Sequence, residues 1–135
     1  LSKGKLVWGF GNDDFHRWHD LAKSWNMIYA EKEESSIRKS IDIGSLYVST
    51  GLILNEFIFD DNTIRISAGS NDTYVKENKY VFVGKDGEVL KEQVGEYGEY
   101  KMDGSELYVR AQVVSEHGAM LWTQPIYDDS KFTRP

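Results

Sequence analysis

An aspartate and a histidine separated by one residue, Asp14 and His16, stand near the start of this 135-residue chain, in the run Trp8-Gly9-Phe10-Gly11-Asn12-Asp13-Asp14-Phe15-His16-Arg17. Side chains two apart at the end of a strand share a face, so both can point the same way. A carboxylate oxygen and an imidazole nitrogen make a ligand pair suited to Zn, Mn or Fe. Arg17, next along, can reach a phosphate as a charged donor. Asp13 can cap a helix or support the pair from the second shell. Two ligands do not complete a transition-metal site, and the rest of the chain offers no obvious third. The pair therefore reads as the last part of a site belonging to a larger metalloprotein. The plainer alternative is an aspartate capping a helix, an ordinary exposed histidine and an arginine in a surface ion pair. His19 lies one helical turn after His16 and joins the pair only if a helix begins early; otherwise it is a surface histidine. His117 sits in a Glu-His-Gly turn.

The elements that must position these residues change character near residue 44. Lys5 to Phe10 is a short apolar strand candidate ending in Gly11. Asn12 or Asp13 can cap a short helix running through His16, Trp18 and Leu21. Trp25 to Ala30 reads as a buried strand. Ser35 or Ser36 can cap a second helix, with Ile37 and Ile41 on one face and Gly44 as terminator. Beyond Gly44 the pattern is almost wholly β: 46–49, 52–59, 63–67, 79–83, 88–94, 99–102, 106–115 and 119–127. Turn signals separate these runs at Asp60-Asp61-Asn62, Gly69-Ser70-Asn71-Asp72, Lys85-Asp86-Gly87, Asp103-Gly104-Ser105 and Glu116-His117-Gly118. Asp86-Gly87 and Asp103-Gly104 are hairpin signatures. Ile64, Ile66 and Ala68 alternate with polar residues, as do Leu107, Val109, Ala111 and Val113, which buries one face of each strand. The expectation is a mainly β fold: an antiparallel sandwich of two sheets, immunoglobulin-like in general character, preceded by a short α/β segment.

Composition narrows the function classes. A formal charge of −6 and a pI near 5.0 argue against a nucleic-acid or anionic-membrane surface. No stretch approaches the roughly 20 apolar residues that cross a bilayer, so the chain is expected to be soluble, cytoplasmic or exported. No signal-peptide pattern opens it, and Leu1 in place of Met suggests a processed piece. With no cysteine there is neither a disulfide nor a thiolate ligand. The acidic pairs Asp60-Asp61 and Asp128-Asp129 lack the spacing of a calcium loop and read as solvated turns. Four tryptophans and eight tyrosines invite a carbohydrate-binding reading, but Tyr80, Phe82, Tyr108 and Trp122 fall in strand patterns, where aromatics fill cores. No nucleophile elbow, phosphate-binding loop or dinucleotide fingerprint is present.

Several local patterns coincide in order and spacing with one family. Gly11-Asn12-Asp13-Asp14-Phe15-His16-Arg17, Ser24-Trp25-Asn26-Met27, the helix 37–43, Gly44-Ser45-Leu46-Tyr47-Val48-Ser49-Thr50-Gly51, Leu107-Tyr108-Val109-Arg110-Ala111 and Ala119-Met120-Leu121-Trp122-Thr123-Gln124-Pro125-Ile126 together cover nearly the whole chain. They resemble the C-terminal end of bacterial two-domain metal-dependent phosphoesterases of the PHP (polymerase and histidinol phosphatase) family. The resemblance implies a distorted βα barrel with a two- or three-metal site, whose last ligand motif is Asp-x-His. Carried over, Asp14 and His16 are that motif, with Asp13 and Arg17 as possible second-shell or phosphate contacts. Residues 1–43 are then the barrel's closing segment and 44–135 an appended β-sandwich. The implied cofactors are divalent Zn, Mn or Fe in the intact parent, with none tightly held here. The implied partners are the missing N-terminal barrel and the parent's phosphoester substrate, with no nucleic acid and no membrane. The exposed strand edges at 5–10 and 25–30 also allow a homodimer. The alternative from a different class is a free-standing β-sandwich that binds carbohydrate or protein through an exposed aromatic row.

Overall fold

Period-two alternation after Gly44 builds the architecture. The computed structural model of the chain describes residues 1–70 and 77–133. In chain order the strands are β1 (Trp25–Ile28), β2 (Leu46–Ser49), β3 (Ile53–Asp60), β4 (Thr63–Gly69), β5 (Asn78–Val83), β6 (Val89–Gly95), β7 (Gly98–Lys101), β8 (Tyr108–Ser115), β9 (Met120–Thr123) and β10 (Ile126–Tyr127), with a single α-helix, α1 (Glu34–Asp42), between β1 and β2 among the described residues. One sheet runs β1-β2-β9-β8-β5-β6, with β10 also pairing β8; the other runs β3-β4-β7. Every strand pair is antiparallel. The two sheets enclose one core made by the alternating residues: Ile64, Ile66 and Ala68 from one side, Tyr80, Phe82, Val109, Ala111, Val113 and Leu121 from the other. The mainly β, sandwich-like expectation holds. The turn expected at Gly69–Asp72 reaches into Asn71 and Asp72, which lie outside the described residues.

Four local expectations give way to tertiary constraints. Among the described residues Lys5–Phe10 makes no ladder and has one isolated β-bridge, Lys5 with Thr133. The helix expected through His16 and Leu21 shrinks to a 3₁₀ turn at Trp18–Asp20. The run 119–127 breaks at Gln124-Pro125, since proline has no N–H to give a ladder. Asp103-Gly104 is not a hairpin but the crossing from β7 in one sheet to β8 in the other. There Glu106 organises the chain: its carboxylate accepts from the Tyr100 hydroxyl at 2.7 Å and from the N–H groups of Asp103 and Gly104 at 3.2 and 3.0 Å. Burial pushes the Glu106 carboxyl up, but the bonds led by Tyr100 outweigh it and hold it below its ordinary value. By contrast Asp86 and Gly87, both at positive φ, do close the β5–β6 hairpin.

Gly98 shows how tightly the sheets meet. A Cβ there would lie 2.6 Å from Cβ and Cγ of Tyr80, a ring with no exposure at all whose hydroxyl donates to the Glu96 carbonyl at 2.9 Å. That ring cannot withdraw without breaking the bond. Gly98→Ala is expected to cost about 1–3 kcal/mol, the range for overpacking a filled core, read as a lower urea midpoint at unchanged m-value. Wild-type stability in this variant would contradict the packing described.

Candidate functional site

The N-terminal segment reaches its position through side-chain amides rather than a β-ladder. Gln124 accepts from the Gly9 N–H at 2.9 Å and donates to the Gly9 carbonyl at 2.8 Å. Asn26 on β1 does the same for Gly11, at 3.0 and 2.8 Å. Two amide side chains thus stand in for the neighbouring strand that residues 7–11 lack. Gly11 has to be glycine, because a Cβ would sit 2.2 Å from Val48 Cγ1 and 2.5 Å from Ser24 Oγ. Trp8 stacks its ring over Gly44 and donates its indole N–H to the Asp42 carbonyl at 3.0 Å, tying the segment to the end of α1.

From this strap a loop projects that carries the sequence-expected site residues. Asp13 closes its base: the carboxylate accepts from the N–H groups of Ala22, Lys23 and Ser24. The Ser24 bond above all holds the Asp13 carboxyl below its ordinary 3.8. Asp20 closes the tip, accepting from the His16 and Arg17 N–H groups at 3.3 and 2.9 Å. Asp14 and His16 come together and lie in the open, with side chains 96% and 70% exposed. His16 Nδ1 lies 2.9 Å from the Asp14 carbonyl and 3.4 Å from its Oδ1. A carbonyl only accepts, so Nδ1 carries the hydrogen and Nε2 is the nitrogen left for a ligand. His19 turns to Asp20, 3.1 Å away, and does not join the pair. Arg17 is exposed and makes no ion pair among the described residues.

No group of three or more His, Asp or Glu side chains gathers as a metal site among the described residues. Asp128 is occupied in capping, accepting from the N–H and hydroxyl of Ser130 at 2.9 and 2.7 Å, and Asp61 lies 3.8 Å from Lys101. His117 is an exposed turn residue. Tyr80 and Phe82 are core, Tyr108 is buried, and Trp122 is half-buried on the outer face of the larger sheet. The exposed aromatic strand residues, Trp25 and Phe59, belong to different sheets, so they form no single row.

What the sequence reading only partly anticipated is how apolar the surroundings of Asp14 and His16 are. Phe15 and Trp18 form an edge-to-face pair with centroids 6.0 Å apart while 51% and 85% exposed. Leu21, Trp25, Met27 and Tyr29 are exposed as well, as are Val7 and Phe10 on the strap. Trp8 and Ile28 are half-buried. The signal was visible as a high density of large apolar residues between 7 and 29 without a helical or strand period.

No helix among the described residues is long and apolar enough to cross a membrane. No family model, curated protein or solved structure matches the chain.

The Asp13 anchor titrates in a known direction. Its folded pKa lies below the ordinary 3.8, so its contribution is fully present above that value and is lost as pH falls through the folded one. Protection factors (intrinsic rate over observed rate) at the Ala22, Lys23 and Ser24 amides should therefore fall as the solution is acidified below that ordinary value, and Asp13→Asn should show the low protection already at neutral pH. Equal protection in the variant at pH 7 would contradict the assigned role.

Proposed function

We propose that this chain is the C-terminal accessory part of a PHP-type metal-dependent phosphoesterase, in which Asp14 and His16 complete a metal site built mainly by an upstream barrel. The observation that carries the reading is an exposed, half-assembled ligand pair set in exposed apolar surface. Two ligands alone hold a divalent ion weakly, and bare Phe15, Trp18 and Leu21 are costly in water unless another body covers them. A covering body that brings further ligands satisfies both needs at once. Within such a site the Asp14 carboxylate would be a hard anionic ligand and His16 would bind through Nε2. The Arg17 guanidinium would offer N–H donors to a phosphate oxygen. The bound ions would supply water activation and neutralise phosphate charge. The strap clamps fix where the loop starts, and Asp13 and Asp20 fix its shape. The sandwich would thus hold the last ligand pair rigidly.

The chain by itself is expected to bind Mn²⁺ or Zn²⁺ only weakly, with a dissociation constant on the order of millimolar for two ligands instead of three or four. Titration followed by the His16 ring resonances should show this, and Asp14→Ala/His16→Ala should abolish it. Micromolar affinity that survives the double substitution would mean that the metal site lies elsewhere and would remove the reading.

A further inference from the structure

A second feature lies apart from the Asp14–His16 loop. Between the strap and the outer face of the larger sheet opens a cleft of about 420 Å³ that includes neither residue. Its floor is Val48 and Trp122, neighbours across the β2–β9 pairing. Its walls are Leu1, Val7 and Phe10 from the N-terminal segment, and Arg110 of β8 stands among them. The walls are held in place: Gly9 and Gly11 are each gripped by two hydrogen bonds from Gln124 and Asn26.

Arg110 is out of keeping with these surroundings. Carboxylates outnumber Lys and Arg by 22 to 16 in this chain. Arg38 and Arg65 each find one, Glu34 at 2.9 Å and Glu99 at 2.7 Å. Arg110 is half-buried, yet among the described residues it has no carboxylate, no carbonyl and no aromatic ring as partner. Arg110 therefore brings a positive charge with no partner among the described residues to a cleft it shares with Trp122, Val7 and Phe10. Its planar fork of donors matches a carboxylate, sulfonate or phosphate. The remaining space, apolar and of small-molecule size, matches a hydrophobic body.

We propose that this cleft binds a small amphipathic anion, its acidic group on Arg110 and its flat or branched apolar body between Trp122, Val48 and Phe10. The proposal goes beyond the phosphoesterase reading and stands or falls without it, because Arg110, Trp122 and Val48 take no part in that reading and Asp14 and His16 take none in this one.

The test uses the 135-residue chain with 8-anilinonaphthalene-1-sulfonate as anionic probe and N-phenyl-1-naphthylamine as its neutral counterpart. One saturable equivalent of the anionic dye is expected, quenching tryptophan fluorescence. Arg110→Gln should weaken the anionic dye about ten-fold, the scale of one charge-assisted contact, and leave the neutral dye within about two-fold. Arg110→Lys keeps the charge and should give an intermediate value, which serves as the reading if Arg110→Gln fails to fold by circular dichroism. Trp18→Ser, on the exposed loop, should change neither dye. Equal anionic affinity in the charge-removing variant, or loss of binding in Trp18→Ser, would overturn the proposal by placing the dye elsewhere. Inorganic phosphate at millimolar concentration should not displace the anionic dye. Displacement would show a simple anion site and overturn the requirement for an apolar body.

Discussion

Two pairs of side-chain-to-backbone hydrogen bonds carry the N-terminal end of this molecule. Gln124 on Gly9 and Asn26 on Gly11 turn an irregular segment into something as well located as a strand. A backbone with no ladder must find partners for its N–H and C=O groups, and here two side-chain amides supply them to residues two apart, Gly9 and Gly11, at ladder-like spacing. Gly11 then lets the segment lie flat on Val48. Everything at this end follows from that attachment: where the Asp14–His16 loop begins, where the apolar surface faces, and how the cleft beneath the strap stays open. Gln124 can serve because Pro125 interrupts the ladder after β9, freeing a position that continuous pairing would have occupied.

The β part of the fold was legible wherever alternation was strict. Ile64, Ile66 and Ala68, or Val109, Ala111 and Val113, bury themselves as their period dictates. β1 and α1 were legible too, but the segment ahead of β1 was not, because its hydrogen bonds are long-range. Nothing local to Lys5–Phe10 reveals that Gln124, more than a hundred residues on, takes the place of a paired strand; the apolar run alone reads as a strand. Asp13 was legible as an anchor but not as to what it anchors. Its carboxylate reaches forward across nine to eleven residues instead of the two or three of a helix cap, so the helix expected from it does not form. At Asp103-Gly104 the dipeptide favours a turn in either setting. Glu106, which accepts from both of those N–H groups, stabilises the crossing between sheets.

The same contrast governs the candidate site. Spacing alone placed Asp14 and His16 on a shared face of a strand. In the structure they meet on a loop, joined through the Asp14 carbonyl and His16 Nδ1, which orients the ring and leaves Nε2 outward. Under the proposed function such a pair would act as two ligands of a site completed from elsewhere. The exposed Phe15 and Trp18 beside it make association with another body favourable by apolar burial. Arg110 poses a separate electrostatic need in the cleft between strap and sheet, and the proposed partner there is small and anionic.

The most direct test of the proposed function is the metal content of the longer barrel-bearing protein to which it assigns this chain, compared with the same protein carrying Asp14→Ala/His16→Ala. The account predicts two or three divalent ions per chain and phosphoester hydrolysis in the first, with fewer ions and strongly reduced turnover in the second, both remaining folded. A metal-free parent, or a double variant that keeps its metal and its activity, would contradict it. Asp14 and His16 would then be surface residues of a loop held by Asp13 and Asp20.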